Sequence, residues 1–253
     1  MKSTKLFFVM LIMGLMIISC GDDDTLESNE SKDVNVKFQM NVDQEALVHE
    51  TTYNINGTDV QFTNVAFYLG DMKFETSDGM TYESSDRYQL IKPGIFDFNF
   101  SIPATEEDVD VNLSKITFFV GVDAETNAEI EMDFTERPEG DVLGQQNPTM
   151  HWGWAGGYRF LNIDGNADTD GDGEFETQLT YHLGFDEFLK NISLSPDQLL
   201  EEGANEFKIN FDMSTFLAGV DFATENFTKV QPDNRTIADK LFDNYSSSIT
   251  FVK

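Results

Sequence analysis

Carboxylates alternate along Asp168-Thr-Asp170-Gly-Asp172-Gly173-Glu174-Phe175-Glu176. Alternate placement turns Asp168, Asp170 and Asp172 toward one centre, and Gly173 permits a tight turn. The segment matches the opening of an EF-hand-type calcium loop. In that pattern Glu174 supplies its carbonyl and Glu176 ligates through water. The closing glutamate is missing, because Leu179 stands in its place. Another carboxylate, Asp164, would have to complete the shell. Such a site belongs to the extracellular affinity class, with Kd about 0.1–1 mM. The competing reading is an acidic surface turn.

A second segment, Pro148 to Phe160, holds both tryptophans (Trp152 and Trp154), His151 and the glycines Gly153, Gly156 and Gly157. Read as a strand, it puts Trp152, Trp154 and Tyr158 on one face and His151 on the other, unless a bulge intervenes. Large aromatics serve cores, so an aromatic core strand with glycines making room for indoles is the plain alternative. His182, in Thr180-Tyr181-His182-Leu183-Gly184, and His49 complete the three imidazoles. Imidazole suits copper, and a thioether such as Met150 suits Cu(I). A core histidine bonded to backbone is the rival reading of His182.

These residues need elements to hold them. Period-2 alternation of apolar and polar residues begins at Asp33. It recurs at Val34–Val42, Phe62–Phe74, Phe96–Phe100, Ile116–Val120, Glu206–Met213 and Ser248–Val252. Asn56-Gly57, Ser77-Asp78-Gly79 and Pro93-Gly94 read as turns. Helices are expected only from Ser195-Pro196 and over Thr236–Tyr245. The fold class expected is mostly β: one antiparallel β-sandwich or open barrel over 33–253, with long loops and one or two short helices. The acidic loop then caps a hairpin with arms Trp152–Asp164 and Phe175–Leu183. With Asp164 opposite Phe175, His182 pairs with Gly157. His151 would lie six residues further on, roughly 20 Å away. A regular hairpin therefore separates the two imidazoles.

The 253 residues are 40% hydrophobic and 13% aromatic, which excludes a disordered chain. Sixteen basic against 46 acidic residues give a net charge of −30, a field that repels nucleic acid and attracts cations. One cysteine precludes an internal disulfide and four-cysteine zinc sites. Lys2 and Lys5 precede the apolar run Leu6–Ile18, which is too short to span a membrane and reads as a signal peptide over 1–19. Ile17-Ile18-Ser19-Cys20 resembles the lipobox of bacterial lipoproteins, which implies a lipidated Cys20 anchoring the chain to a membrane. Residues 20–32 read as an acidic flexible tether. Loss of Lys2 and Lys5 with the leader leaves 14 basic and 46 acidic residues, a charge of −32. The expected location is the outer membrane, facing the periplasm or the cell surface.

The string Met150-His-Trp-Gly-Trp-Ala-Gly-Gly-Tyr-Arg-Phe160 with Tyr181-His182-Leu183-Gly184 resembles the MbnP-like domain, a copper-binding partner of methanobactin-type gene cassettes. Phe119-Val-Gly-Val-Asp123 with Asn127, and Val65-Ala-Phe-Tyr-Leu69, resemble further segments of that family. The resemblance implies an extracytoplasmic β-sandwich that binds copper. It also implies a partner di-haem cytochrome c peroxidase-like enzyme that oxidises a tryptophan, Trp152 or Trp154, to kynurenine. His151 and His182 become candidate copper ligands, with His49 and Met150 behind them. Copper capture or delivery without turnover is then the leading function. The alternative is a calcium-stabilised β-sandwich that binds a protein or glycan on its tryptophan face. No Gly-x-Ser-x-Gly, His-Glu-x-x-His or cysteine nucleophile argues for an enzyme.

Overall fold

The computed structural model describes residues 31–104, 110–129, 131–153 and 156–252, with the side chains of 131 and 132 set aside. The leader, Cys20, nearly all of the tether and Trp154 lie outside the described residues.

Alternation in the sequence becomes strand pairing. β1 (Lys32–Val42) turns Val34, Val36, Phe38 and Met40 inward, and β2 (Glu45–Ala46) folds back on its end. β3 (Thr52–Ile55) passes through the Asn56-Gly57 turn into β4 (Thr58–Thr76), a strand of 19 residues. β5 (Thr81–Glu83), β6 (Tyr88–Ile91) and β8 (Asn112–Val120) pair with β4, while β7 (Ile95–Ile102) returns to β1. Two short helices follow, α1 (Ala124–Asn127) and α2 (Glu131–Thr135). The hairpin of interest is β9 (Arg159–Asp168) and β10 (Thr177–Gly184). β11 (Lys190–Leu194) and β12 (Gln198–Leu199) pair with β8, and β13 (Gly203–Asp212) lies beside β1. α3 (Met213–Phe216), β14 (Phe227–Thr228), α4 (Arg235–Ser248) and β15 (Ile249–Val252) complete the chain.

Two sheets result, one of five strands around β1 and one of ten strands around β4. Their inner faces meet through aromatic side chains: Phe38 lies 5.9 Å from Phe67 and 6.1 Å from Phe118, and Phe67 lies 5.0 Å from Phe211. The mostly β sandwich expected from alternation is present. β1 with β13, and β10 with β14, run parallel, so both sheets are mixed rather than wholly antiparallel. No helix among the described residues is long and apolar enough to cross a membrane.

Two expectations need correction. Ser195-Pro196 starts no helix, because Asp197 takes φ 45° and Gln198–Leu199 pair with β8 at Leu113 and Asn112. The β9–β10 register also differs. Asp164 faces Thr180, not Phe175, and His182 faces Asn162, not Gly157. The acidic loop causes the shift: Asp168 accepts N–H groups from Gly171 and Gly173, which extends β9 to Asp168 and starts β10 only at Thr177.

β4 is buried on both sides through its middle. Phe67 faces the sandwich, whereas Tyr68 faces the opposite way, packing on Tyr158 at 5.8 Å and donating to the Val142 carbonyl at 2.9 Å. Chain from the 121–158 region therefore covers the outer face of the larger sheet. The outward positions beneath it on neighbouring strands are Asn64 and Ala66, Asn162 and Asp164, and Thr180 and His182.

Candidate metal centre

The expected strand from Trp152 does not form, since Gly153 and Gly157 adopt φ 91° and 66°. Trp152 N–H donates to the Gly157 carbonyl at 2.9 Å, Arg159 N–H donates to Met150 at 2.8 Å, and His151 bridges Tyr158. This tight loop replaces the straight arm and the simple face parity drawn from it. Glycine is required at 157 on two counts. Its φ lies in the left-handed region, and a Cβ there would come within 2.3 Å of Asn127 Oδ1. That same oxygen accepts from the Tyr158 N–H at 2.8 Å, while Asn127 Nδ2 donates to Asp186 at 2.8 Å. Asn127 thus ties α1 to both ends of the site.

The loop lays Trp152 over the outer face of β10. A Cβ on Gly184 would meet Trp152 Nε1 at 2.6 Å, so glycine makes room for the indole there. The indole ring centre lies 6.1 Å from that of His182 and 6.2 Å from that of Phe185, with the Arg159 guanidinium 4.8 Å away. Phe185 holds φ 69° and is 38% exposed, a costly backbone for a bulky residue, placed at the rim of the site. Burial lowers the Arg159 pKa, against the opposing charge of Asp164.

His182 is buried, and its Nε2 lies 2.8 Å from Asp164 Oδ1. A carboxylate at this distance takes the Nε2 proton, so in the neutral ring Nδ1 is the nitrogen that keeps a lone pair. That Nδ1 is buried and has no hydrogen-bond partner among the described residues. Trp152 Nε1, Arg159 Nε and Asn162 Oδ1 share the same condition in the same patch. Buried polar atoms are nearly always paired, so the orphans on Trp152, His182 and Arg159, which lie against one another, make this patch a candidate ligand site.

The other nominated residues fall differently. His151 is buried with its ring stacked on Phe134 at 4.1 Å, and its Nδ1 accepts the Gly153 N–H at 3.0 Å. Its Nδ1 lone pair is therefore committed. Met150 is buried at the foot of the loop. His49 sits exposed on the turn after β2, where burial of its ring still lowers its pKa against the charge of Glu50. Carboxylate oxygens of Asp168, Asp170, Asp172 and Glu176 lie within 4.8 Å of one another. Asp164 is outside that cluster: it lies within β9 opposite Thr180, away from the loop, and bonds His182 instead. The Glu174 side chain is likewise outside it, its N–H donating to Asp172 at 2.9 Å. Asn162, Arg159 and Asn127 were not singled out as site residues by composition. Asn162 and Asp164 did leave one signal, a polar alternation inside an otherwise apolar strand.

An open cleft of about 650 Å³ lies elsewhere, between Arg87–Tyr88 and Arg137–Leu143. Its guanidinium groups are already paired, Arg87 with Asp71 and Asp123, Arg137 with Glu129 and Asp141. Its two guanidinium groups are therefore spent on neighbouring carboxylates, and the Trp152 patch is the stronger site.

Residues 31–234 match the family model for MbnP. The chain belongs to the MbnP family. The match covers every side chain of the Trp152 patch and stops just before α4. MbnP from Methylosinus trichosporium has a similar solved structure, with 13% identity, a TM-score of 0.52, and coverage of 79% of this chain and 82% of that one. At that identity the likeness concerns the fold. No curated protein matches the sequence.

Proposed function

We propose that this MbnP-family chain is an extracytoplasmic copper-binding lipoprotein that captures or delivers the metal without turnover of its own. The observation that carries the reading is His182. Its ring is buried and oriented by Asp164, and Nδ1 is left with a lone pair and no partner among the described residues. A carboxylate holding the far nitrogen of a ligating imidazole is the usual outer arrangement at metal sites, fixing tautomer and ring angle. Neutral imidazole suits copper. His151 joins the ligand set only if its ring gives up the Gly153 N–H. Trp152, whose indole lies 6.1 Å from the His182 ring, is the tryptophan we propose for conversion to kynurenine by a di-haem partner.

Cys20 serves as the lipid anchor in this reading, and Cys20→Ser should free the chain from membranes; undiminished membrane association of that variant contradicts it. The Asp168–Glu176 loop holds calcium as a structural ion, supported by the convergence of four carboxylates within 4.8 Å.

The test is a copper titration of the full chain in detergent. His182→Ala should abolish tight binding; because the ring is buried and bonded to Asp164, metal-free stability falls by roughly 1–3 kcal/mol under either reading, so copper binding is the deciding readout. If His182 is only a packing group, copper binding persists.

A further inference from the structure

We infer that Asn127 is the positioning residue of the Trp152 site: one amide sets both the loop that carries the indole and the ring that lies against it. The inference deepens the proposed function, since it concerns the same site, but it depends on no choice of ligand or ion.

α1 is a single turn, too short to stand without outside support. That support comes from β6. Asp123 accepts the N–H groups of Glu125 and Thr126 at 3.1 and 3.2 Å, and is held in turn by the Tyr88 hydroxyl and by Arg87 Nη2 at 3.2 Å. Asn127, the last residue of the turn, is thereby fixed relative to the larger sheet.

From there its two ends reach in different directions. Oδ1 accepts the Tyr158 N–H at 2.8 Å, and Asn127 lies so close to Gly157 that no Cβ fits there. The Gly157 carbonyl then accepts the Trp152 N–H at 2.9 Å. Asn127 is therefore one hydrogen bond removed from the backbone of Trp152. At its other end Nδ2 donates to Asp186 Oδ1 at 2.8 Å. Asp186 follows Phe185, whose ring lies within 10° of parallel to the indole with centres 6.2 Å apart. Phe185 sits at φ 69°, a conformation that a bulky residue keeps only where its neighbours over-determine it. The bond to Asp186 is such a constraint, one residue away. The two contacts demand opposite polarity, an acceptor toward Tyr158 and a donor toward Asp186. A short amide supplies both in one rigid plane.

The experiment compares wild type, Asn127→Asp, Asp186→Asn and the double variant as full chains in detergent. All carry Trp154→Phe, so that of the two tryptophans Trp152 alone emits. Asn127→Asp keeps the acceptor for Tyr158 but sets two carboxylates against each other. Trp152 emission should shift to longer wavelength and acrylamide should quench it more. Copper affinity, read by chelator competition, should fall about tenfold, the lower end for supporting groups of metal sites. Asp186→Asn keeps an acceptor for Nδ2 and should stay near wild type. The double variant exchanges donor and acceptor: the carboxylate at 127 takes the Tyr158 N–H and an N–H of the amide introduced at 186, so emission and affinity should return. A merely structural role changes folding stability, not the affinity of a chain already folded, and predicts no such recovery. Should Asn127→Asp fail to fold, Asp186→Leu breaks the same bond from its exposed side and should shift the emission in the same direction. Wild-type emission and affinity in Asn127→Asp, a double variant as impaired as Asn127→Asp, or wild-type emission in Asp186→Leu overturns this inference alone. Absence of copper on the wild-type chain overturns the proposed function, and the emission measurements then decide the role of Asn127.

Discussion

Replacing Asp164 with asparagine separates the electrostatic role of this residue from its shape. In the folded chain Asp164 Oδ1 stands 2.8 Å from His182 Nε2, and the Asp164 side chain is 28% exposed. Asparagine can still present an oxygen to Nε2–H, so the tautomer is retained, but the negative charge is gone. Two costs follow. The imidazole becomes a weaker donor, and the nearby Arg159 guanidinium is no longer offset when a metal cation arrives. Outer carboxylates of this kind contribute about 10–100-fold in metal affinity, or about 1.4–2.7 kcal/mol. Partial exposure screens the charge, so the stability of the metal-free chain should fall by no more than about 1 kcal/mol. Copper competition titrations and metal-free urea unfolding, run on wild type and Asp164→Asn together, give both numbers. Unchanged copper affinity in Asp164→Asn would refute the reasoning, as would a loss of metal-free stability that accounts for the whole effect.

Asp170→Ala should remove the calcium-dependent rise in Tm, worth about 2.7 kcal/mol at a hundred times Kd; an unmoved wild-type melting curve on chelation makes the loop a mere surface turn. Gly157→Ala should cost about 2–4 kcal/mol, from a left-handed φ of 66° and displacement of Asn127, measured as a urea midpoint. For Asp123, burial alone would raise the carboxyl, but hydrogen bonds from Tyr88 and Thr126 with the Arg87 charge outweigh it and hold the pKa below the ordinary 3.8. A depressed folded pKa stabilises above the unfolded value, and that stability is lost as pH falls through the folded one. Asp123→Asn should therefore shallow the loss of stability that sets in below about pH 5 and continues as pH falls through the depressed folded pKa; identical slopes in both chains contradict the assignment.

Strand positions were legible because one face of each is buried. Val34, Val36, Phe38 and Met40 alternate with polar residues, and the chain has no other way to hide them. Asp168, Asp170 and Asp172 were legible as a cluster for a similar reason, since alternate spacing forces convergence. The hairpin register was not. It depends on Asp168 accepting N–H groups from its own loop, a preference that alternation does not encode. The shift from Phe175 to Thr180 opposite Asp164 brought Asn162 rather than Gly157 to His182. His182 itself was legible as one of only three imidazoles, whereas its tautomer needed the position of Asp164. The loop at Trp152 was hidden for another reason: paired glycines permit a bulge or a full reversal, and the choice is made by Asn127, distant in sequence.

The most direct test of the central claim reads the protons of His182. Long-range proton–nitrogen correlation spectra of the metal-free full chain, assigned with His182→Ala, report which ring nitrogen is protonated. The account predicts a neutral ring with its proton on Nε2, bonded to Asp164, and a bare Nδ1 whose signal alone broadens first when Cu(II) is added. A proton on Nδ1, or copper broadening at His151 or His49 with His182 untouched, would contradict it.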